Sequence, residues 1–172
     1  HAEEIVGDDS FAVLLPDDLF FSDISCLSQL INTYKKTNSS VIAVNKIDKE
    51  NIHKYGVITP GIKEHDAILI EDIIEKPKAD EAPSDIAVCG RYIFTSLIFD
   101  HLEATNFDKS GEIQLTNAIK SLINNQKVHA RLYDGEKFDC GSKKGFVHAT
   151  IALALRDNSI SKDISKIIKE II

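Results

Sequence analysis

The chain has no methionine, no tryptophan and only three cysteines. It begins with His1 rather than Met, so the expectation is a fragment or a processed chain. Cys26, Cys89 and Cys140 are odd in number, far apart and form no CxxC pair. They are expected to be buried free thiols in a reducing, cytoplasmic compartment. No apolar run approaches the roughly 20 residues of a membrane span. The opening HAEEIVGDDS is acidic and lacks the apolar core of a signal peptide. Cations are outnumbered, 20 Lys and Arg against 27 Asp and Glu, for a net charge of -7. That balance argues against a nucleic-acid surface, which needs clustered Lys and Arg. It leaves room for a small phosphorylated ligand served by a metal ion and one or two lysines. The six histidines, including His101 and His148, show no metal-ligand spacing, and neither a G-x-S-x-G elbow nor a Walker A loop is present.

At 172 residues the chain can bury one proper core. Strand and helix signals alternate along it. FAVLL (11–15) and SVIAVNK (40–46) are expected as buried strands around a helix in SDISCLSQLINTYKKT with Ser22 as N-cap. This strand–helix–strand unit is the building block of parallel sheets. YGVITPG is a strand ending in a turn at Thr59-Pro60-Gly61, followed by a strand in DAILIEDIIEKPK. AVCGRYIF, VHARLY and KFDCG are further strands. Helices are expected in TSLIFDHLEAT, capped by Thr95, in GEIQLTNAIKSLINN and in KKGFVHATIALALRDN. The tail from Ser161 places Ile164, Ile167, Ile168, Ile171 and Ile172 on one stripe, which would cap the core or contact another subunit. The architecture expected is α/β with a central, mostly parallel mixed sheet, in which ligands bind at the carboxyl ends of strands.

Pro16-Asp17-Asp18 stops the first strand and puts two carboxylates at such an end. Mg²⁺ binds through one or two carboxylates plus substrate phosphates; the same tripeptide also serves as a plain turn or helix cap. Glu75 and Lys76 close a strand before Pro77. Successive strand residues point to opposite faces, so both serve one ligand only if the backbone bends there. Otherwise they are an exposed strand-end ion couple. Gly56 and Gly90 lie in or beside strands, where glycine marks either a close approach or a bulge. Glu112 is expected in the first turn of a helix, where an acid suits the dipole. Asp139 ends a short strand and either faces Asp17 across the rim or belongs to a turn.

In this order, FAVLLPDDL, KYGVI, IIEKPKADEAPSDIAVCGRYIF, GEIQLTNAI and FDCGSKKGF resemble the bacterial UTP–glucose-1-phosphate uridylyltransferases, from about Val6 to about Asn158. The resemblance implies a Rossmann-like nucleotidyltransferase fold and the conversion of UTP and glucose 1-phosphate to UDP-glucose and pyrophosphate. It implies Asp17 as a Mg²⁺ ligand with catalytic weight and Asp139 as a second metal-side carboxylate. It sets Gly56 against the glucose ring, Glu75 on sugar hydroxyls and Lys76 on the sugar phosphate, where it is also a catalytic residue. Val88 and Gly90 line the sugar site, and Glu112 lies near it. It also implies a homo-oligomer, a dimer or a tetramer. The family's G-x-G-T-R-x-L-P nucleotide loop has no match here, so the chain is expected to be the C-terminal portion of one nucleotidyltransferase domain and inactive alone. A thymidylyltransferase on the same sugar phosphate and a non-catalytic sugar-phosphate-binding module are the other readings. The family usually has Asp where this chain has Asn117.

Overall fold

Runs that are apolar throughout form strands covered on both faces. Val41, Ile42, Ala43 and Val44 are all fully buried and form the middle of the central sheet. The computed structural model describes residues 2–108 and 111–171. Its helices are α1 (Ala2–Val6), α2 (Cys26–Thr37), α3 (Ile98–Glu103), α4 (Leu115–Ile123), α5 (Lys143–Arg156) and α6 (Ser161–Ile171), with a 3-10 helix at Lys49–Lys54. Its strands are β1 (Phe11–Leu14), β2 (Asp18–Phe21), β3 (Ser40–Lys46), β4 (Gly56–Glu64), β5 (Ala67–Glu75), β6 (Ile86–Phe94), β7 (Val128–Leu132) and β8 (Glu136–Asp139). Two compact units result. One holds the chain up to Leu14 with Ile24–Asp134; the other holds Leu15–Asp23 and the chain from Gly135 onward. Among the described residues, no helix is long and apolar enough to cross a membrane.

In the larger unit, strands run in the order β1-β6-β3-β7-β5-β4. The sheet is mixed, but the expectation of mostly parallel pairing is overturned: β3–β7 is parallel, while β1–β6, β3–β6, β4–β5, β4–β6 and β5–β7 are antiparallel. Two features cause this. β6 inserts between β1 and β3, so the strand–helix–strand unit skips one place in the sheet. β4 and β5 form a hairpin, which must be antiparallel. The hairpin turns at His65, whose φ of 57° is left-handed, and not at Thr59-Pro60-Gly61. β4 runs straight through Pro60 because the register shifts on either side of it, and proline is tolerated at such bulges.

Helix boundaries also moved inward. Ser25, not Ser22, caps α2, accepting from the Ser28 N–H at 3.1 Å. Ser22 follows β2, an additional short strand, so the chain is still leaving the strand there. Thr95 does not cap α3 with its hydroxyl; that group donates to Gln126 Oε1 at 3.3 Å. α4 begins at Leu115, which leaves Ile113 outside it and exposed. Its Ala118, Ile119 and Leu122 are buried with Ile58, Ile70 and Ile73 of β4 and β5. Each such leucine or isoleucine contributes about 1.5–3 kcal/mol by leaving water.

The smaller unit pairs β2 with β8, Asp18 opposite Asp139. The Arg156 guanidinium lies 4.7 Å from the centroid of the Phe21 ring and ion-pairs with Glu136. Phe138 meets His148 edge-on at 5.3 Å, which ties α5 to β8. α6 carries Ile164, Ile167, Ile168 and Ile171, none of them fully buried; Ile172 lies outside the described residues. Cys26 and Cys89 are buried, whereas Cys140 is only half-buried because it sits in the turn after β8.

His129 on β7 is 2% exposed and bonds Ser39 Oγ through Nδ1 at 2.6 Å. Burial holds its imidazole below the ordinary 6.5; Glu64 opposes and Lys127 reinforces the shift. The folded state therefore prefers the neutral ring. Its contribution is complete above 6.5 and is lost as pH falls from 6.5 towards the lower folded value. Urea midpoints should decline between about pH 7.5 and about pH 5, and His129→Gln should flatten that decline.

Candidate active site

Glu75 is the last residue of β5 and pairs in register with Gly56, the first of β4. The strand does not continue its alternation past Glu75. Lys76 has a φ of 45°, in the left-handed region that a non-glycine residue enters at a cost of roughly 1–2 kcal/mol. Its N–H donates to the Tyr55 carbonyl at 3.1 Å, which holds the bend, and the buried Pro77 follows. The bend brings the Lys76 ammonium to 3.5 Å from Glu75 Oε1. This is the condition under which the two neighbours serve one ligand. The lysine side chain is 58% exposed and the glutamate 25%, so the cation faces solvent while the carboxylate is largely enclosed.

The other oxygen, Oε2, accepts from the Thr116 hydroxyl at 2.6 Å. Gly56 completes this corner. A Cβ there would stand 3.3 Å from both Glu75 Oε2 and Thr116 Oγ1, so glycine is what lets the strand pass so close. Thr116 was not legible in the sequence: a threonine early in a helix carries no signal of a partner. One helical turn on, Lys120 Nζ donates to Asp72 Oδ2 at 2.8 Å, a second tie from α4 to β5. Partial burial acts to raise the Asp72 carboxyl, but its bonds with Lys120 and the Ile73 amide hold it below the usual 3.8.

Val57 is opposite Ala87, and the next step of that antiparallel register sets Val88 beside Gly56. Val88 is half-buried. Gly90 is buried on β6 where the register with β3 shifts, between Ile42↔Tyr92 and Val44↔Val88, so it occupies a bulge. Glu112 is not in the first helical turn, because α4 starts later. It sits on the exposed loop ahead of Thr116, its N–H donating to Asp108 Oδ1 at 3.1 Å.

In the smaller unit, Asp17 and Asp139 do converge. The Asp17 carbonyl accepts from the Cys140 N–H at 2.7 Å. A Cβ on Gly141 would lie 3.1 Å from Asp17 Oδ2 and 3.2 Å from Asp139 Oδ1. Two carboxylate oxygens thus border this glycine, and Asp139 Oδ1 also accepts from the Gly141 N–H at 3.0 Å, so Asp139 belongs to the turn as well. Gly145 is equally constrained: its Cβ would fall 1.7 Å from the Asp139 carbonyl oxygen, so α5 starts directly against the end of β8. Asp18 takes a different role from its neighbour. It is buried on β2 and pairs with Lys137 at 2.9 Å. Among the described residues, no group of three or more His, Cys, Asp or Glu side chains is placed to hold a metal. A pair of carboxylates nevertheless fits a hard cation that takes its remaining ligands from phosphate and water.

The antiparallel-rich α/β sheet, the bent Glu75-Lys76 corner and the Asp17–Asp139 pair fall within one homologous segment. The chain belongs to the nucleotidyl transferase family, whose model matches residues 1–155, and it has that family's Rossmann-like α/β fold. A UTP–glucose-1-phosphate uridylyltransferase of Staphylococcus epidermidis is 41% identical over 170 residues, 99% of this chain and 59% of that protein. The crystal structure of UDP-glucose pyrophosphorylase complexed with UDP-glucose aligns with a TM-score of 0.84 at 37% identity, covering 88% of this chain and 59% of that one. The UTP-bound UGPase from Acinetobacter baumannii aligns with a TM-score of 0.85 at 32% identity, covering 99% and 60%. The chain therefore spans about three-fifths of the length of these relatives.

The strain at residue 76 is testable without any ligand. Glycine within a strand ordinarily destabilises, by roughly 0.5–1 kcal/mol relative to alanine. At a left-handed position the sign reverses. Lys76→Gly should raise the melting temperature of the chain above that of Lys76→Ala, which keeps the Cβ and with it the strain.

Proposed function

We propose that the chain is the sugar-phosphate and metal-side portion of a UTP–glucose-1-phosphate uridylyltransferase. The observation that carries this reading is the left-handed bend at Lys76, which aims an acceptor and a cation from adjacent residues at one place. A sugar phosphate needs that combination: hydroxyl donors for a carboxylate and a phosphate for an ammonium. The similarity to uridylyltransferases along almost the whole chain supports the choice of glucose 1-phosphate and UTP as substrates.

In this reading Glu75 accepts from sugar hydroxyls above Gly56, with Val88 and Gly90 lining the ring and Glu112 near it. Lys76 binds the sugar phosphate. A phosphate oxygen of glucose 1-phosphate attacks the α-phosphorus of UTP in line, and pyrophosphate leaves. The protein forms no covalent bond; it positions two anions and offsets their repulsion. Two unit charges at 4 Å repel by about 4 kcal/mol at an effective dielectric near 20, comparable to what one well-placed lysine returns. Asp17 and Asp139 would hold Mg²⁺, which supplies charge neutralisation on the phosphates when bound.

Equilibrium dialysis of the chain against labelled glucose 1-phosphate tests the sugar side directly. Binding is expected, and Lys76→Ala should weaken it by about tenfold or more, the scale of a lost charge-assisted contact. The same substitution should leave binding of unphosphorylated glucose unchanged. Equal loss for both sugars, or no binding by the parent chain, would contradict the assignment.

A further inference from the structure

The two oxygens of the Glu75 carboxylate have different partners. Oε1 is 3.5 Å from the Lys76 ammonium, and Oε2 accepts from Thr116 Oγ1 at 2.6 Å. Glutamate has three side-chain torsions, and a carboxylate on the end of a strand would otherwise sample several rotamers. Here three segments close on it: the start of β4 at Gly56, the end of β5 and the first turn of α4.

We infer that Thr116 is a positioning residue for sugar recognition: its hydroxyl locks the Glu75 carboxylate in the orientation that receives sugar hydroxyls. This rests on the reading of Glu75 as the hydroxyl acceptor. Thr116 follows Leu115, the first residue of α4, so it lies too early in the helix to bond back to a helical carbonyl, and its hydroxyl is directed outward to β5. Lys120 bonds Asp72 on the same face one turn later, a second tie between α4 and β5. With one acceptor site of Oε2 taken by Thr116, the directions left for a ligand are few and fixed. Such an arrangement discriminates among hydroxyl positions, which a freely rotating carboxylate does not.

The test is a mutant cycle on the full 172-residue chain, read as affinity for glucose 1-phosphate by titration calorimetry. Thr116→Val should weaken binding about tenfold and Thr116→Ser should restore it to within about threefold, since serine keeps the hydroxyl. In a Glu75→Ala background, Thr116→Val should cause no further loss, because nothing remains to be positioned. A merely structural role would cost as much in that background as in the parent, and this result overturns the inference. Unchanged affinity in Thr116→Val alongside weakened binding in Glu75→Ala overturns the inference and spares the reading of Glu75. Unchanged affinity in Glu75→Ala, or no binding by the parent, overturns both.

Discussion

One backbone torsion organises the Glu75-Lys76 corner. A regular strand sends successive side chains to opposite faces, and Glu75 and Lys76 would then be separated by the sheet itself. The positive φ of Lys76 breaks that alternation just past the strand's last residue. Lysine has no intrinsic preference for this conformation, so the surroundings must impose it. The Tyr55 carbonyl, the buried Pro77 and the register of β4 with β5 do so. Strain of this kind is retained where it places groups that relaxed backbone would keep apart.

Around this bend the protein adds rigidity rather than further charge. Gly56 allows the first residue of β4 to touch the carboxylate corner without a side chain in between. α4 is attached to β5 at two levels, Thr116 to Glu75 and Lys120 to Asp72, while its apolar face is buried over the same strands. The smaller unit uses the same device in another form. Asp17 and Asp139 border Gly141, and Gly145 lets α5 begin against the β8 carbonyl. Glycine is a requirement of close approach at Gly145 and eases it at Gly56 and Gly141.

Much of this was legible from local pattern. The strands at Ser40–Lys46, Ile86–Phe94 and Val128–Leu132, and the helices from Lys143 and Ser161, follow from apolar runs and helical spacing. The condition on Glu75 and Lys76, that the backbone must bend, was also stated by the sequence through Pro77. The sheet's direction was not, because insertion of β6 between β1 and β3 is a long-range choice that no window of residues encodes. Pro60 was misleading for a related reason: a register shift that depends on the partner strand accommodates it inside β4. The Pro16-Asp17-Asp18 tripeptide did not separate its two acids. Only the pairing of β2 with β8 shows Asp18 buried against Lys137 and Asp17 directed to Gly141. Thr116 escaped altogether, since its partner lies on a distant strand and a single hydroxyl leaves no periodic trace.

The central claim is that the bend makes Glu75 and Lys76 two halves of one receptor. A crystal structure of the chain with glucose 1-phosphate tests it most directly. The account predicts sugar hydroxyls on the Glu75 carboxylate and the phosphate on the Lys76 ammonium of the same molecule. A sugar phosphate seated elsewhere, or one held by only one of the two with the other turned away, would contradict it.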